Sequence, residues 1–71
     1  MERNIQLDWQ SIVKDAIAAR KRQHLTQKEL AAIASLSLPT VNRFEQGDTS
    51  LTLRSALKIL QKLGLASSLP I

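Results

Sequence analysis

Side chains able to do covalent or acid–base chemistry are few and scattered in this 71-residue chain. It has no cysteine and a single histidine, His24, which removes thiolate nucleophiles, disulfide staples and thiolate metal sites. His24 stands in a polar connection and reads as a solvated loop residue, since a metal would need more donors than the chain can gather. Asp8 and Asp15 are seven positions apart, but without a histidine or nucleophile beside them they read as a helix cap and a surface charge. No nucleophile–base pair, phosphate-cradling glycine loop or carboxylate dyad can be assembled, so the expectation is no enzyme activity, no cofactor, no metal and no small-molecule ligand. What remains is hydrogen bonding and charge. Ten Lys and Arg against six Asp and Glu give a net +4, a field that attracts polyanions, of which nucleic acid is the commonest in a cytoplasm. Ribosomal, membrane-surface and plainly soluble basic domains share that balance, so charge does not decide the matter.

The polar side chains suited to such contacts, Gln27, Lys28, Ser37, Thr40, Asn42, Arg43 and Thr49, fall in the middle of the chain, and helices must position them. One Phe, one Trp and no Tyr, beside many Leu, Ala and Ile, speak for an all-α fold of one small domain with a thin core. Asp8 caps a first helix that runs to about Arg22, with Trp9, Ile12, Val13, Ala16, Ile17 and Arg20 on one stripe. Arg20, Lys21 and Arg22 suit the carbonyl end of its dipole. Thr26 and Glu29 form a capping box that opens a second helix, whose buried side is Leu30, Ala31 and Ala34. Ser35 and Leu36 make a short turn. Ser37 caps a third helix, with Pro39 in its first turn, Val41 and Phe44 inward, and Gly47 as the left-handed stop. Thr52 caps a fourth, with Leu53, Ala56, Leu57, Leu60 and Leu63 on one side and Gly64 at its end. Trp9 is expected as a core plug between the first helix and the tail. The division is an N-terminal arm over 1–7, a domain over 8–64 and an apolar tail over 65–71, where Leu65, Leu69 and Ile71 alternate as in a short strand.

Two short helices joined by two or three residues, with small Ala31 at their contact, make a helix-turn-helix over residues 26–46. Such a unit enters the major groove of double-stranded DNA with the leading end of its second helix. Base contact is therefore expected from Ser37, Leu38, Pro39, Thr40 and Arg43, with Arg43 suited to a bidentate bond to guanine. Gln27 at the start of the second helix, Lys28, Asn42 and Thr49 are the expected phosphate contacts. Asp48 is awkward there, because a carboxylate repels the backbone.

The run Leu25-Thr26-Gln27-Lys28-Glu29-Leu30-Ala31, then Ser37, Val41, Arg43 and Glu45-Gln46-Gly47, resembles the Cro/C1-type (XRE family) helix-turn-helix domain. The match continues ungapped through Leu53, Leu57, Ile59 and Leu63 and covers roughly residues 16 to 65. It implies a lambda-repressor-like fold of four to five helices and a DNA-binding transcriptional regulator. It also implies that Arg20 and Glu45 form the family's ion pair, tying the recognition helix to the scaffold. One departure is Ser35, where the family usually has glycine; a serine held left-handed there costs about 1 kcal/mol.

A single recognition helix reads few base pairs, so the expected form is a homodimer acting as a repressor on a palindromic operator. Leu65, Leu69 and Ile71 are the interface candidates, with edge pairing if the tail is a strand. The Leu63-Gly64-Leu65 ending and the alternating tail also resemble HipB-like antitoxins, which implies a kinase-like toxin as a partner. A third reading is a helical protein-interaction or RNA-binding module without DNA binding. No apolar run approaches the roughly 20 residues of a membrane span and nothing reads as a signal peptide, so the expected location is the cytoplasm.

Overall fold

Every helix of this fold opens on a short polar side chain and closes on a left-handed residue. The computed structural model describes residues 8–66, and within them four α-helices follow one another: α1 Trp9–Arg22, α2 Gln27–Ala34, α3 Leu38–Glu45 and α4 Leu53–Lys62. There is no strand among the described residues, and the fold is the small all-α domain expected. The positions suggested for a C-terminal strand, Leu69 and Ile71 included, lie outside the described residues.

The opening caps are Asp8, Thr26, Ser37 and Thr52. Their side-chain oxygens accept from the backbone N–H three residues on, at 3.1 Å for Ser11, 3.0 Å for Glu29, 3.2 Å for Thr40 and 3.2 Å for Ser55. Glu29 completes the box by accepting from the Thr26 N–H at 2.8 Å. Each such cap satisfies an amide that the helix itself leaves without a partner.

The closing residues are His24 (φ 59°), Ser35 (φ 58°), Gly47 (φ 83°) and Gly64 (φ 81°). In each case the left-handed residue donates its N–H to the carbonyl three residues back, and the next residue reaches the carbonyl five back. The pairs are His24 to Lys21 with Leu25 to Arg20, Ser35 to Ala32 with Leu36 to Ala31, Gly47 to Phe44 with Asp48 to Arg43, and Gly64 to Gln61 with Leu65 to Leu60. This double bond is the Schellman arrangement, and it turns the chain sharply enough to keep the loops short. Glycine occupies such a site without strain. Serine and histidine do not, so two of the four stops carry a Cβ penalty.

The core gathers Val13, Ala16 and Ala19 of α1, Leu30 and Ala31 of α2, Val41 and Phe44 of α3, and Ala56, Ile59 and Leu63 around α4. Ala34 is buried as well, so α2 turns small side chains inward where α3 must approach closely. The α4 stripe differs from the expectation at one end. Leu53 is 71% exposed, whereas Ile59 is fully buried, so the inward face runs through residues 56, 59 and 63. Leu53 is the first helical residue, and a helical side chain leans toward the N-terminus; its own tilt carries it past the end of the core.

Two further hydrogen bonds close the frame. The half-buried Trp9 indole donates Nε1–H to the Gly47 carbonyl at 3.2 Å, and its ring meets Phe44 edge-on, with centroids 5.6 Å apart and planes at 87°. Trp9 thus joins the start of α1 to the end of α3, while most of the tail it was expected to pack against, residues 67–71, lies outside the described residues. At the other end of α1, Gln23 Nε2 donates to the Leu63 carbonyl at 3.0 Å. Among the described residues no helix is long and apolar enough to cross a membrane.

Because the left-handed stops at His24 and Ser35 are strained and exposed, His24→Gly and Ser35→Gly should each stabilise the domain by about 1 kcal/mol. For a chain of this size that raises the thermal midpoint by roughly 4–8 °C, read by circular dichroism. No change, or a fall, at both sites would show that local hydrogen bonding outweighs the backbone strain.

Candidate nucleic-acid interface

The two central helices meet through a charge that begins on α1. Arg20 donates from Nε to Glu45 Oε2 at 2.7 Å and from Nη2 to Oε1 at 3.1 Å, while its Nη1 holds the Leu25 carbonyl at 2.8 Å. Side-chain exposure is only 12% for Arg20 and 7% for Glu45. A pair buried to that degree must be fully hydrogen-bonded to be tolerated, and the bidentate fork fixes direction as well as distance. Arg20 therefore clamps the last residue of α3 to α1 and to the loop that leads into α2.

Glu45 also accepts from Gln27 Nε2 at 2.8 Å. Since a carboxylate only accepts, it dictates which way the Gln27 amide faces, and the choice propagates. Gln27 Oε1 then accepts from Asn42 Nδ2 at 3.4 Å, and Asn42 Oδ1 accepts from Gln46 Nε2 at 2.6 Å. The result is a polarised line of amides running from the buried pair outward along α3. Gln27 and Asn42, both expected at phosphates, are half-buried members of this brace, with part of their hydrogen-bonding capacity already committed.

The leading end of α3 stands free of the core. Ser37, Leu38 and Pro39 are exposed and Thr40 is half-buried, while Val41 and Phe44, behind them, are fully enclosed. The Ser37 and Thr40 hydroxyls lie 2.8 Å apart and share a hydrogen bond. Arg43 is on the same outer side, half exposed. Its guanidinium is not loose: Nε donates to Asp48 Oδ2 at 2.8 Å and Nη2 to Ser50 Oγ at 2.8 Å. The other Asp48 oxygen accepts from the Ser50 N–H at 2.8 Å and the Ser50 hydroxyl at 2.7 Å. Ser50 bonds first, and Arg43 after them, hold the Asp48 carboxyl down to about 2, against an ordinary value of 3.8. The carboxylate that seemed out of place near a polyanion is thus ionised but paired within its own loop. Lys28 and Thr49 are exposed, the first on α2 and the second in the loop after α3. His24 and Asp15 are exposed and far from forming a site, and no cluster of metal-binding side chains occurs among the described residues.

Two short helices, a left-handed turn at Ser35 and an exposed second helix pinned from behind make up a helix-turn-helix. The Helix-turn-helix family model matches residues 17–68. The chain belongs to this family, of the Cro/C1 type. A Haemophilus influenzae protein named as an uncharacterized HTH-type transcriptional regulator is 30% identical over 59 residues, covering 83% of this chain. The chain spans 60% of the length of that relative. No solved structure matches it. Within the helix-turn-helix, α2 is the supporting helix and α3 the presented one, and family membership supports DNA binding in transcription regulation as the class of function.

Two features that the sequence pattern did not reveal belong to this helix-turn-helix. The amide line links Gln27 to Glu45 and to Asn42, 18 and 15 positions away and beyond the reach of local patterning, and only its Asn42–Gln46 step is local. The Asp48–Ser50 bond is local, an Asp side chain accepting from the amide two residues on, and the Asp-Thr-Ser run was its available signal.

Removing one partner of the buried pair leaves the other charge without compensation. Glu45→Ala should therefore cost about 3–5 kcal/mol of stability, seen as a large fall in the denaturant midpoint; a loss under about 1 kcal/mol would show the pair to be ordinary surface charge. Asp48 gives a separate test. Its folded value is depressed, so its contribution to stability is complete above about 3.8 and disappears as pH falls toward about 2. A carbon-detected titration should place its midpoint near 2, and a midpoint near 3.8 would mean that the Ser50 and Arg43 bonds are not kept in solution.

Proposed function

We propose that this chain is a sequence-specific DNA-binding transcriptional regulator, a repressor acting as a homodimer on a palindromic operator. The observation that carries this reading is the exposed leading end of α3, with Ser37, Leu38, Pro39 and Arg43 outward, on a helix fixed at its far end by Arg20 and Glu45. A probe so held meets base edges without first paying the entropy of ordering itself. Arg43 reads guanine in the major groove, Thr40 or Ser37 bonds a base or a phosphate, and Leu38 or Pro39 packs on a thymine methyl. Lys28 and Thr49 meet phosphates on either side, with Gln27 and Asn42 bonding the backbone through the capacity that the brace leaves them.

A homodimer follows from the same arithmetic, since a two-fold pair reads two half-sites about one helical turn apart and squares the selectivity of one short helix. Leu65, 42% exposed just after α4, is the described member of the apolar set proposed for the interface. In this reading 8–64 is the DNA-binding domain, 65–71 its apolar dimerisation tail and 1–7 an N-terminal arm, with 1–7 and 67–71 outside the described residues.

Selection from a random duplex pool tests the reading directly. The expected product is a palindrome with half-sites centred about 10 base pairs apart, bound at two protomers per duplex in sedimentation. A pool that never enriches, or binding that ignores sequence, contradicts it. On the selected duplex, Arg43→Ala should cost about 1–3 kcal/mol and relax one position per half-site. Lys28→Ala should weaken all sequences alike and reduce the salt slope by about 1.

A further inference from the structure

We infer that Asp48 and Ser50 are positioning residues for Arg43, and that the loop after α3 thereby sets the base preference of the helix. This rests on the reading above, in which Arg43 meets a base. The geometry concerns which donors are used. An arginine carries five N–H donors in a planar fork. The loop takes the Nε–H through Asp48 Oδ2 and one Nη2–H through Ser50 Oγ, both at 2.8 Å. What remains is the end of the fork, the two Nη1 hydrogens and the second on Nη2. That end is the edge that meets guanine O6 and N7 in a bidentate bond. The bonds within the loop therefore consume the side of the guanidinium that a base does not need.

The Asp48–Ser50 unit is itself rigid. Ser50 donates both its N–H and its hydroxyl to Asp48 Oδ1, at 2.8 and 2.7 Å, and the same hydroxyl accepts from Arg43. Arg43, Asp48 and Ser50 thus close a ring of hydrogen bonds around an exposed side chain that otherwise samples many rotamers. The backbone contributes too, because the Asp48 N–H bonds the Arg43 carbonyl at 3.1 Å and fixes the loop on the helix end. Holding a long side chain in one rotamer sharpens discrimination, since a wrong base then meets a donor pair that cannot swing aside. The same ring explains an acidic residue beside a surface meant for phosphates. Its charge opposes DNA in general and, through Arg43, favours one sequence.

The test compares wild type, Asp48→Ala, Ser50→Ala, Arg43→Ala and the double variant Arg43→Ala with Asp48→Ala, all as full chains checked for helicity. Each is titrated with the pool-selected duplex, with that duplex changed at the base pair Arg43 reads, and with a random duplex. Asp48→Ala and Ser50→Ala are expected to lower discrimination at that one base pair by roughly three- to tenfold. Binding of Asp48→Ala to the random duplex should stay level or tighten. In the Arg43→Ala background, Asp48→Ala should change discrimination no further, an outcome that a purely structural loop would not give. The inference is overturned if Asp48→Ala leaves discrimination intact or sharpens it, or if it weakens every duplex equally. Those results, with Arg43→Ala still relaxing its position, leave the DNA-binding reading standing. An Arg43→Ala that relaxes nothing, or a pool that yields no preferred duplex, removes both. Should Asp48→Ala lose helicity, Ser50→Ala opens the ring while keeping the carboxylate and carries the same comparison.

Discussion

One buried, two-pronged hydrogen bond governs this small domain: the fork of Arg20 against the carboxylate of Glu45. Its partners are 25 residues apart, and the pair draws in the Leu25 carbonyl and the Gln27 amide as well. Four segments therefore converge on one ion pair: the end of α1, the loop after it, the start of α2 and the end of α3. Enclosed ion pairs add little net stability, because desolvation offsets much of the attraction. Their value is directional. A guanidinium fork and a carboxylate admit few relative orientations, so α3 is fixed in rotation, and rotation decides which of its side chains face outward.

Packing supplies the complementary restraint. Phe44, fully buried one residue before Glu45, is held edge-on by Trp9, whose indole in turn bonds the Gly47 carbonyl. The far end of α3 is thus gripped by an ion pair on one side and an aromatic contact on the other. Its near end carries only a serine cap, with Leu38 and Pro39 open to solvent. A rod anchored at the tail and free at the tip is what groove insertion requires, and the buried Ala31 and Ala34 of α2 leave room for the body of α3 to sit close.

Much of this was legible in the sequence where the physics is local. Thr26 with Glu29, Ser37 before Pro39, and Gly47 and Gly64 name helix ends through hydrogen bonds spanning three to five residues, and the helices start and stop where those signals fall. Ser35 was expected to be left-handed only through the family resemblance, which puts glycine there, whereas nothing local marked His24 as a left-handed site. Leu53 looked inward by periodicity, yet it lies at the helix end, where no neighbouring element covers it. The Arg20–Glu45 pair came from family resemblance and not from patterning, since no local rule links residues so far apart. The amide line and the Arg43–Asp48–Ser50 ring were missed for a related reason: side-chain hydrogen bonds between polar residues leave no periodic trace. Those unread contacts concern the orientation of the presented side chains more than the existence of the helices.

The most direct test of a braced probe in the major groove is chemical interference on the selected duplex. Methylation of guanine N7, which projects into the major groove, is expected to block binding in two clusters about one helical turn apart, while methylation of adenine N3 in the minor groove is tolerated. Interference confined to the minor groove, or none at N7, would contradict the placement of α3.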